Sequence, residues 1–516
     1  MTLDTVGDRS LRDLLEERVE MYGERTFLVF EDREGAVSEL TYAEFGERVE
    51  AAAAGLAALG LAADDNVVVH LRNSPEFLVA WFALMRLGAV MVPSNIANTA
   101  TELAHVFEVT GARAAVTEPD YVEAIGAGGG VGLTLIVARG DAGGAVAFDD
   151  LPGLGAAAGP APRAPRGGDD LAQLLFTSGT TSKPKAVMLS HANCLRAGLD
   201  SVQSLWLDEG ERCLTALPLF HVNGQGLTIL AAMTVGGTAI VIEEFRASRF
   251  WSQVRRHRAT QTAIVAMQLR TLIAQPPAAG ERDHALRKVF YAINVSDGDK
   301  EEFERRYGVT LINGYGCSEA MTLLAVSPVV GPRRWPSIGL PAPGRTLFLL
   351  DEEGREVGPG EVGEIVVEGR PGRSIMLGYY RDAEATAKAI RGNRLHTGDN
   401  AYADEEGYLY FFDRKKDMIK RAGENVSASE VEAVVGVHPD VAEVAVVGIP
   451  DPIRDEEVAA VVVPRDGRRP SDEEIIAFCA ERLSRFKVPT TVAFETRLPK
   501  TSIGKVRKDV LREKLS

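Results

Sequence analysis

Cysteine is scarce: Cys194, Cys213, Cys317 and Cys479 are the only four in 516 residues. They are scattered without a C-x-x-C pair, so neither a zinc site nor a disulfide framework is expected, and reduced thiols suit a cytoplasmic protein. Positive charge is also in deficit. Lys and Arg total 57 against 73 Asp and Glu, a formal charge of −16, which argues against nucleic acid or an acidic membrane surface as partner. Any anionic ligand must then be caught by local chemistry. The opening MTLDTVGDRS lacks the basic start and apolar run of a signal peptide, so export is not expected. Membrane insertion is not expected either, because the Ala-rich stretch from Val49 to Leu61 is short, weakly apolar and broken by glycine. Internal repeats are missing too.

What the chain does have is length for more than one core, and an alternation of strand and helix periods. Strand-like TFLVF from Thr26, helical Tyr42 to Leu59, strand-like NVVVHL from Asn66, helical Glu76 to Leu87 and strand-like AVMVP from Ala89 form a β-α-β-α-β series. That series predicts parallel sheet. The Gly-, Ala- and Pro-rich run from Leu151 to Asp169 reads as a surface connection, after which a second α/β unit begins. From Leu340 short strands and glycine turns predict a smaller β-rich subdomain. Beyond Asp413, helical SASEVEAVVGVH and DEEIIAFCAERLS with strand-like VAEVAVVGI and VAAVVVP predict a compact α+β domain. The fold class is therefore α/β: layered α/β subdomains and a β-rich subdomain over 1–412, and a small α+β domain over 413–516.

One loop has the composition of a polyphosphate cradle. From Leu174 the chain reads LLFTSGTTSKPKAVMLSH, two strand-like runs enclosing small hydroxylated residues. Gly179 lets the backbone come close, Thr177, Ser178, Thr180 and Thr181 offer hydroxyls, and Lys185 supplies positive charge. The P-loop pattern G-x-x-x-x-G-K-[ST] fails, because Pro184 and Ala186 occupy its second glycine and its hydroxyl position. Taken alone, the loop could equally be a Ser/Thr turn between strands.

Three distant segments join it: NGYGCSEA from Asn313, HTGDNAYADEEGYLYFFDRKKDMIKRAGENVSASEVE from His396, and LPKTSIGKVRKDVL from Leu498. In this order and spacing the four segments resemble the signatures of the adenylate-forming superfamily, which includes acyl-CoA synthetases, firefly-type luciferases and nonribosomal adenylation domains. The chain departs from the common form at Ser182 and Ala186, where glycine is usual, and at Ser318, where threonine is. GPRRWPSIG from Gly331, RTLIAQPP from Arg270, the GENVS run from Gly423 and PIRDEE from Pro452 resemble the carnitine and crotonobetaine CoA ligase branch.

That resemblance implies an AMP-forming acid:CoA ligase in which ATP and a carboxylic acid give an acyl-adenylate, and CoA then takes the acyl group. Its loop residues Thr177, Ser178, Gly179, Thr180, Thr181 and Lys185 would hold phosphates. Asn313, Gly314 and Tyr315 would hold adenine, Tyr315 as the stacking platform. Ser318 would reach a phosphate, while Glu319 and Thr180 would hold Mg2+. Asp399 would accept from the ribose hydroxyls, with Arg414 and Lys420 adding nucleotide contacts. Lys505 would be catalytic, offsetting the repulsion between carboxylate and α-phosphate. Asp413 would be the hinge of a mobile C-terminal domain that turns between the two half-reactions. Gly423 would line the CoA pantetheine path, and Ala422 stands where some plant relatives carry a basic CoA contact.

Several of these residues have plainer readings in isolation. Tyr315 is then a turn aromatic, Lys505 a surface lysine, and the basic island Arg414, Lys415, Lys416, Lys420 and Arg421 a solvated face. His221, in LPLFHVNGQG, gates or orients the acid or is structural; His396 and Cys317 read as packing. A carrier protein, an amine or nitrite could replace CoA as acceptor, and a catalytically dead nucleotide sensor or scaffold is the reading from another class. Retention of Lys505, Glu319, Asp399 and Arg414 together argues against the last.

Overall fold

Strand Asn66–His70, NVVVH, is buried at every position, and burial on both faces is what a covered parallel sheet requires of a continuous apolar run. The computed structural model describes residues 6–129, 132–177, 184–292, 295–414, 417–421, 424–451, 454–483, 485–500 and 506–515. By its contacts the chain divides into two compact units, Met1–Leu347 with Val367–His396, and Phe348–Val366 with Thr397–Ser516.

Two sheets organise the first unit. One has eight strands among the described residues, in the order 378–379, 185–190, 171–177, 90–93, 66–70, 114–117, 134–137 and 146–147. The other has nine, running 340–341, 322–326, 310–317, 288–292, 261–265, 212–215, 238–242, 26–31 and 37–41. Helix Pro75–Leu87 illustrates how the sequence writes its elements. Ser74 caps it by accepting from the Phe77 N–H, Pro75 takes the first helical position, and Gly88 ends it at φ 78. Phe77, Leu78, Val79, Ala80, Trp81 and Phe82 are all buried, as expected of a helix apolar on every side.

Three sequence expectations change here. The first strand, Thr26–Glu31, does not join the sheet of Asn66–His70; it runs parallel to Thr238–Ile242, with Leu28 opposite Ala239. Periodicity reports which faces are buried, not which distant strand lies alongside. Strand Leu171–Thr177, expected to open a second α/β unit, instead continues the first sheet, Met91 opposite Gln173. The Gly- and Ala-rich connection contains a helix, Leu151–Ala158, with its proline at the N-terminus. It packs on helix Tyr42–Ala58, where a Cβ at Gly55 would lie 2.3 Å from the Leu151 carbonyl oxygen and one at Gly155 would lie 2.6 Å from the Ala54 Cβ. Those glycines serve close helix approach rather than a loop.

The second unit holds the β-rich segment and the C-terminal α+β segment. Arg394–Ala403 pairs antiparallel with Leu409–Arg414. A second sheet orders 424–427, 418–421, 455–464 and 441–451, with 491–494 also on 455–464. Its apolar face and helices Ala428–Gly436 and Asp472–Ala480 enclose Ile419, Val431, Val435, Val458, Ile475 and Cys479. The chain passes between the units after Leu347, after Val366 and after His396, and the ladder just described ties 399–403 to 409–414 within the second. A hinge at Asp413 concerns motion and stays a proposal.

Candidate active site

Strands Leu171–Thr177 and Lys185–Ser190 form an antiparallel hairpin whose last pair is Thr177 opposite Lys185. Ser178, Gly179, Thr180, Thr181 and Ser182 lie between them, outside the described residues. The predicted strand-loop-strand frame is present. At the rim a ring nitrogen of His105, Nε2, makes a 3.0 Å hydrogen bond with the Pro184 carbonyl, a neighbour that no sequence signal marked.

Glycine and tyrosine at 378–379 add a short strand to this hairpin, Tyr379 opposite Val187. That places a phenol between two of the predicted site residues. The Lys185 ammonium lies 5.0 Å from the Tyr379 ring centroid, a cation–π distance. On the other side the Tyr379 hydroxyl donates to Glu319 Oε1 at 2.9 Å. Burial, and then the charge of Glu319, push the phenol well above its ordinary value near 10, so the hydroxyl stays protonated and remains the donor. The structure thus brings Lys185 and Glu319 together through a residue that sequence reasoning missed.

Glu319 sits on a short 3-10 turn, Ser318–Ala320, that follows strand Thr310–Cys317. The strand's register shifts between Tyr315 and Gly316, and Met321 just past the turn takes φ 50. Such irregularity aims side chains away from the ladder. Tyr315 is half-buried. Asn313 is buried, and its amide donates to the Ser337 carbonyl at 2.8 Å. Gly314 has a packing reason of its own, since a Cβ there would lie 2.5 Å from the Phe290 ring. The turn is held from behind. Met376 N–H donates to the Glu319 carbonyl at 2.6 Å, and the buried Arg345 guanidinium donates to the carbonyls of Ala320, at 3.2 Å, and of Ser374.

His221 is half-buried with its ring 4.6 Å from that of Phe220. The chain after it runs into a buried π-helical stretch, Gln225–Leu230, a form that often marks functional sites. Gln225 donates to the Leu219 carbonyl at 2.9 Å and accepts from Gln173, on the hairpin strand, at 3.0 Å. This link between the hairpin and the His221 segment is carried by side-chain amides, which hydrophobic patterning does not report.

In the second unit the predicted ribose pair is brought together: Asp399 stands directly opposite Arg414, and Asn400 opposite Asp413. Thr397 and Glu364 shape the approach, accepting from the Asp399 and Gly398 N–H groups at 3.2 and 3.1 Å. Asp413 is buried, and its Oδ2 accepts from the Ser427 hydroxyl and the Ser429 N–H, both at 3.2 Å, at the start of helix Ala428–Gly436. A carboxylate there suits the helix N-terminus. Lys420 lies on strand Met418–Arg421. Arg421 leaves the predicted basic island, because it is buried, 2.6 Å from Glu457, and donates to the carbonyls of Phe486 and Val488. Lys415, Lys416, Ala422, Gly423 and Lys505 lie outside the described residues. Flanking the last of these, Lys500 and Val506 form an antiparallel bridge.

Among the described residues no three His, Cys, Asp or Glu gather as a metal site, and no helix is long and apolar enough to cross a membrane.

Comparison with known proteins places these features in a wider set. The description "AMP-binding enzyme" matches residues 15–380, and "AMP-binding enzyme C-terminal domain" matches residues 430–505. A crotonobetaine/carnitine–CoA ligase of Citrobacter koseri is 39% identical over 519 residues, spanning 99% of this chain and 100% of that protein. A benzoate CoA ligase from Burkholderia xenovorans LB400 superposes with TM-score 0.86 at 27% identity, covering 98% of this chain and 100% of the other. An anthranilate CoA ligase in complex with anthranoyl-AMP gives TM-score 0.88 at 25% identity, over 100% and 98% of the two chains.

Proposed function

Since this chain belongs to the AMP-binding enzyme family, we propose that it is an AMP-forming acid:CoA ligase whose acid is a small zwitterionic carboxylate of the crotonobetaine or carnitine kind. One observation carries the reaction class: the chain sets a cation, Lys185, and a carboxylate, Glu319, against the single side chain of Tyr379, beside a hairpin loop composed for polyphosphate. The full-length likeness to crotonobetaine/carnitine–CoA ligase supports the choice of acid.

In the first half-reaction the carboxylate oxygen attacks the α-phosphorus of ATP. A new O–P bond forms, the bond from the α-phosphorus to the α–β bridging oxygen breaks, and pyrophosphate leaves with that oxygen. In the second the CoA thiolate attacks the acyl carbon, the C–O bond to phosphate breaks, and AMP leaves. Lys185 and the loop hydroxyls hold phosphate oxygens, Tyr315 supports adenine, and Asp399 with Arg414 takes the ribose. Lys505 offsets the negative charge that concentrates as the carboxylate meets phosphorus. Gly423 and Ala422 line the thiol's path, and the backbone at Asp413 turns between the steps.

Magnesium fits this site in one particular way. With no multi-residue acidic cluster among the described residues, the lone carboxylate of Glu319, with Thr180, suits an ion that takes its remaining oxygens from ATP and water. Bound there, it would neutralise phosphate charge.

The test is a panel of small acids, crotonobetaine and carnitine included, screened for pyrophosphate release with ATP and then for acyl-CoA by mass spectrometry. Acid-dependent pyrophosphate followed by thioester is the expected result. Pyrophosphate release with every acid absent, or adenylate that never passes to CoA, would overturn the reading.

A further inference from the structure

Glu319 is the carboxylate assigned to the ion under Proposed function, and a glutamate side chain has three free torsions. Something must hold it. Among the described residues the only group that donates to its carboxylate is the Tyr379 hydroxyl, on Oε1 at 2.9 Å. A phenol hydrogen-bonded to a carboxylate is charge-assisted and directional, and it uses one oxygen while leaving the other for a ligand. The ring of the same residue faces the Lys185 ammonium at 5.0 Å. Tyr379 itself is fixed by three independent restraints. It pairs with Val187 in the sheet, its N–H donates to the Thr386 hydroxyl at 2.8 Å, and the preceding arch is tied to Glu319 by the Met376 N–H and to Ala320 by Arg345.

We infer that Tyr379 is a positioning residue for the first half-reaction, holding Glu319 in the orientation that receives the ion while seating the Lys185 ammonium for phosphate. The inference rests on the reading of Glu319 and Lys185 given under Proposed function and adds a residue to it. The two halves of the side chain have separable duties: the hydroxyl serves the metal, the ring serves the cation. Residues that orient a metal ligand typically change metal affinity by about 10- to 100-fold when removed.

Calorimetric binding of ATP, measured with Mg2+ and again with EDTA, reads both duties without turnover. The ratio of the two dissociation constants is the magnesium advantage. Tyr379→Phe keeps the ring and should lower that advantage about tenfold while leaving ATP affinity in EDTA unchanged. Glu319→Gln should abolish the advantage, and adding Tyr379→Phe to it should change nothing more. Tyr379→Leu should in addition weaken ATP in EDTA, because Lys185 loses its seat. If Glu319→Gln loses the magnesium advantage and Tyr379→Phe keeps it, the inference fails while the reading of Glu319 stands. If Glu319→Gln itself keeps the advantage, the reading of Glu319 fails and the inference falls with it. Additive losses in the double variant, or equal EDTA affinities for the Phe and Leu variants, also contradict the assignment.

Discussion

Arg345 and Asp200 form a fully buried ion pair, Nη2 to Oδ2 at 2.7 Å, and the same guanidinium donates to the carbonyls of Ala320 and Ser374. Arg196 reaches the other Asp200 oxygen at 2.5 Å. Removing Arg345 takes away one of the two cations that compensate the buried Asp200 carboxylate and leaves Arg196 alone on it. Arg345→Met should therefore destabilise the fold, by less than the roughly 3–5 kcal/mol of a wholly unpaired buried charge, read as a lowered urea midpoint. Because the lost donors also hold the Glu319 turn, KM for ATP should rise in whatever folded protein is recovered. A midpoint equal to that of the wild type would contradict this account of the pair.

Acid should act on a different buried carboxylate. Burial works to raise the Glu31 carboxyl, but hydrogen bonds from Gln253 and His257, at 2.9 and 2.6 Å, and the charges of His257 and Arg256 hold it below its ordinary value near 4.5. Arg249 stands 3.4 Å away on the same group. A depressed folded-state pKa contributes stability that is complete above about 4.5 and is lost as pH falls through the folded value. The thermal midpoint of the wild type should exceed that of Glu31→Gln at pH 7, and the gap should close on acidification below pH 4.5. A gap that persists unchanged to strongly acidic pH would count against it.

Thiol chemistry gives a probe of the adenine side. Burial pushes the Cys194 thiol up to about 12 and the Cys479 thiol up to about 11, and raises Cys213 further. Cys317 is only partly buried and lies two residues from Tyr315. Iodoacetamide on the native protein should modify Cys317 ahead of the other three, since reaction needs an accessible thiolate, and ATP should slow it. Peptide mass spectrometry reads the site; equal labelling of all four, or no effect of ATP, would contradict the placement of adenine at Tyr315.

The half-reactions should separate at Lys505. If its charge is needed only where carboxylate meets phosphorus, Lys505→Ala loses adenylate formation but still converts supplied acyl-AMP and CoA to thioester. Equal loss of both steps in a folded variant would detach Lys505 from the first.

The fold class was legible because it is written locally: caps and apolar periods for helices such as Pro75–Leu87, and strand-like runs on either side of the hydroxyl-rich loop for the hairpin of Leu171–Thr177 and Lys185–Ser190. What stayed hidden depends on chain segments far apart. Tyr379 reaches Glu319 across 60 residues, and a Gly-Tyr-Tyr run carries no chemical signal until the sheet sets it beside Lys185. Arg345 sits in the motif-free stretch after Gly344, and its role comes wholly from burial opposite Asp200. Helix Leu151–Ala158 was read as connection because glycine and proline usually mark turns; here Gly155 is selected by the closeness of helix Tyr42–Ala58. Arg421 shows the converse, a lysine- and arginine-rich run in which one member is neutralised inside its own sheet.

The acyl-adenylate itself is the centre of the account, and oxygen isotope transfer tests it most directly. An accepted acid, labelled with 18O in its carboxylate, is turned over with ATP and CoA, and the AMP is examined by mass spectrometry. The account predicts one 18O atom in the phosphate of each AMP, carried across when the C–O bond of the adenylate breaks. AMP free of label, formed alongside thioester, would contradict it.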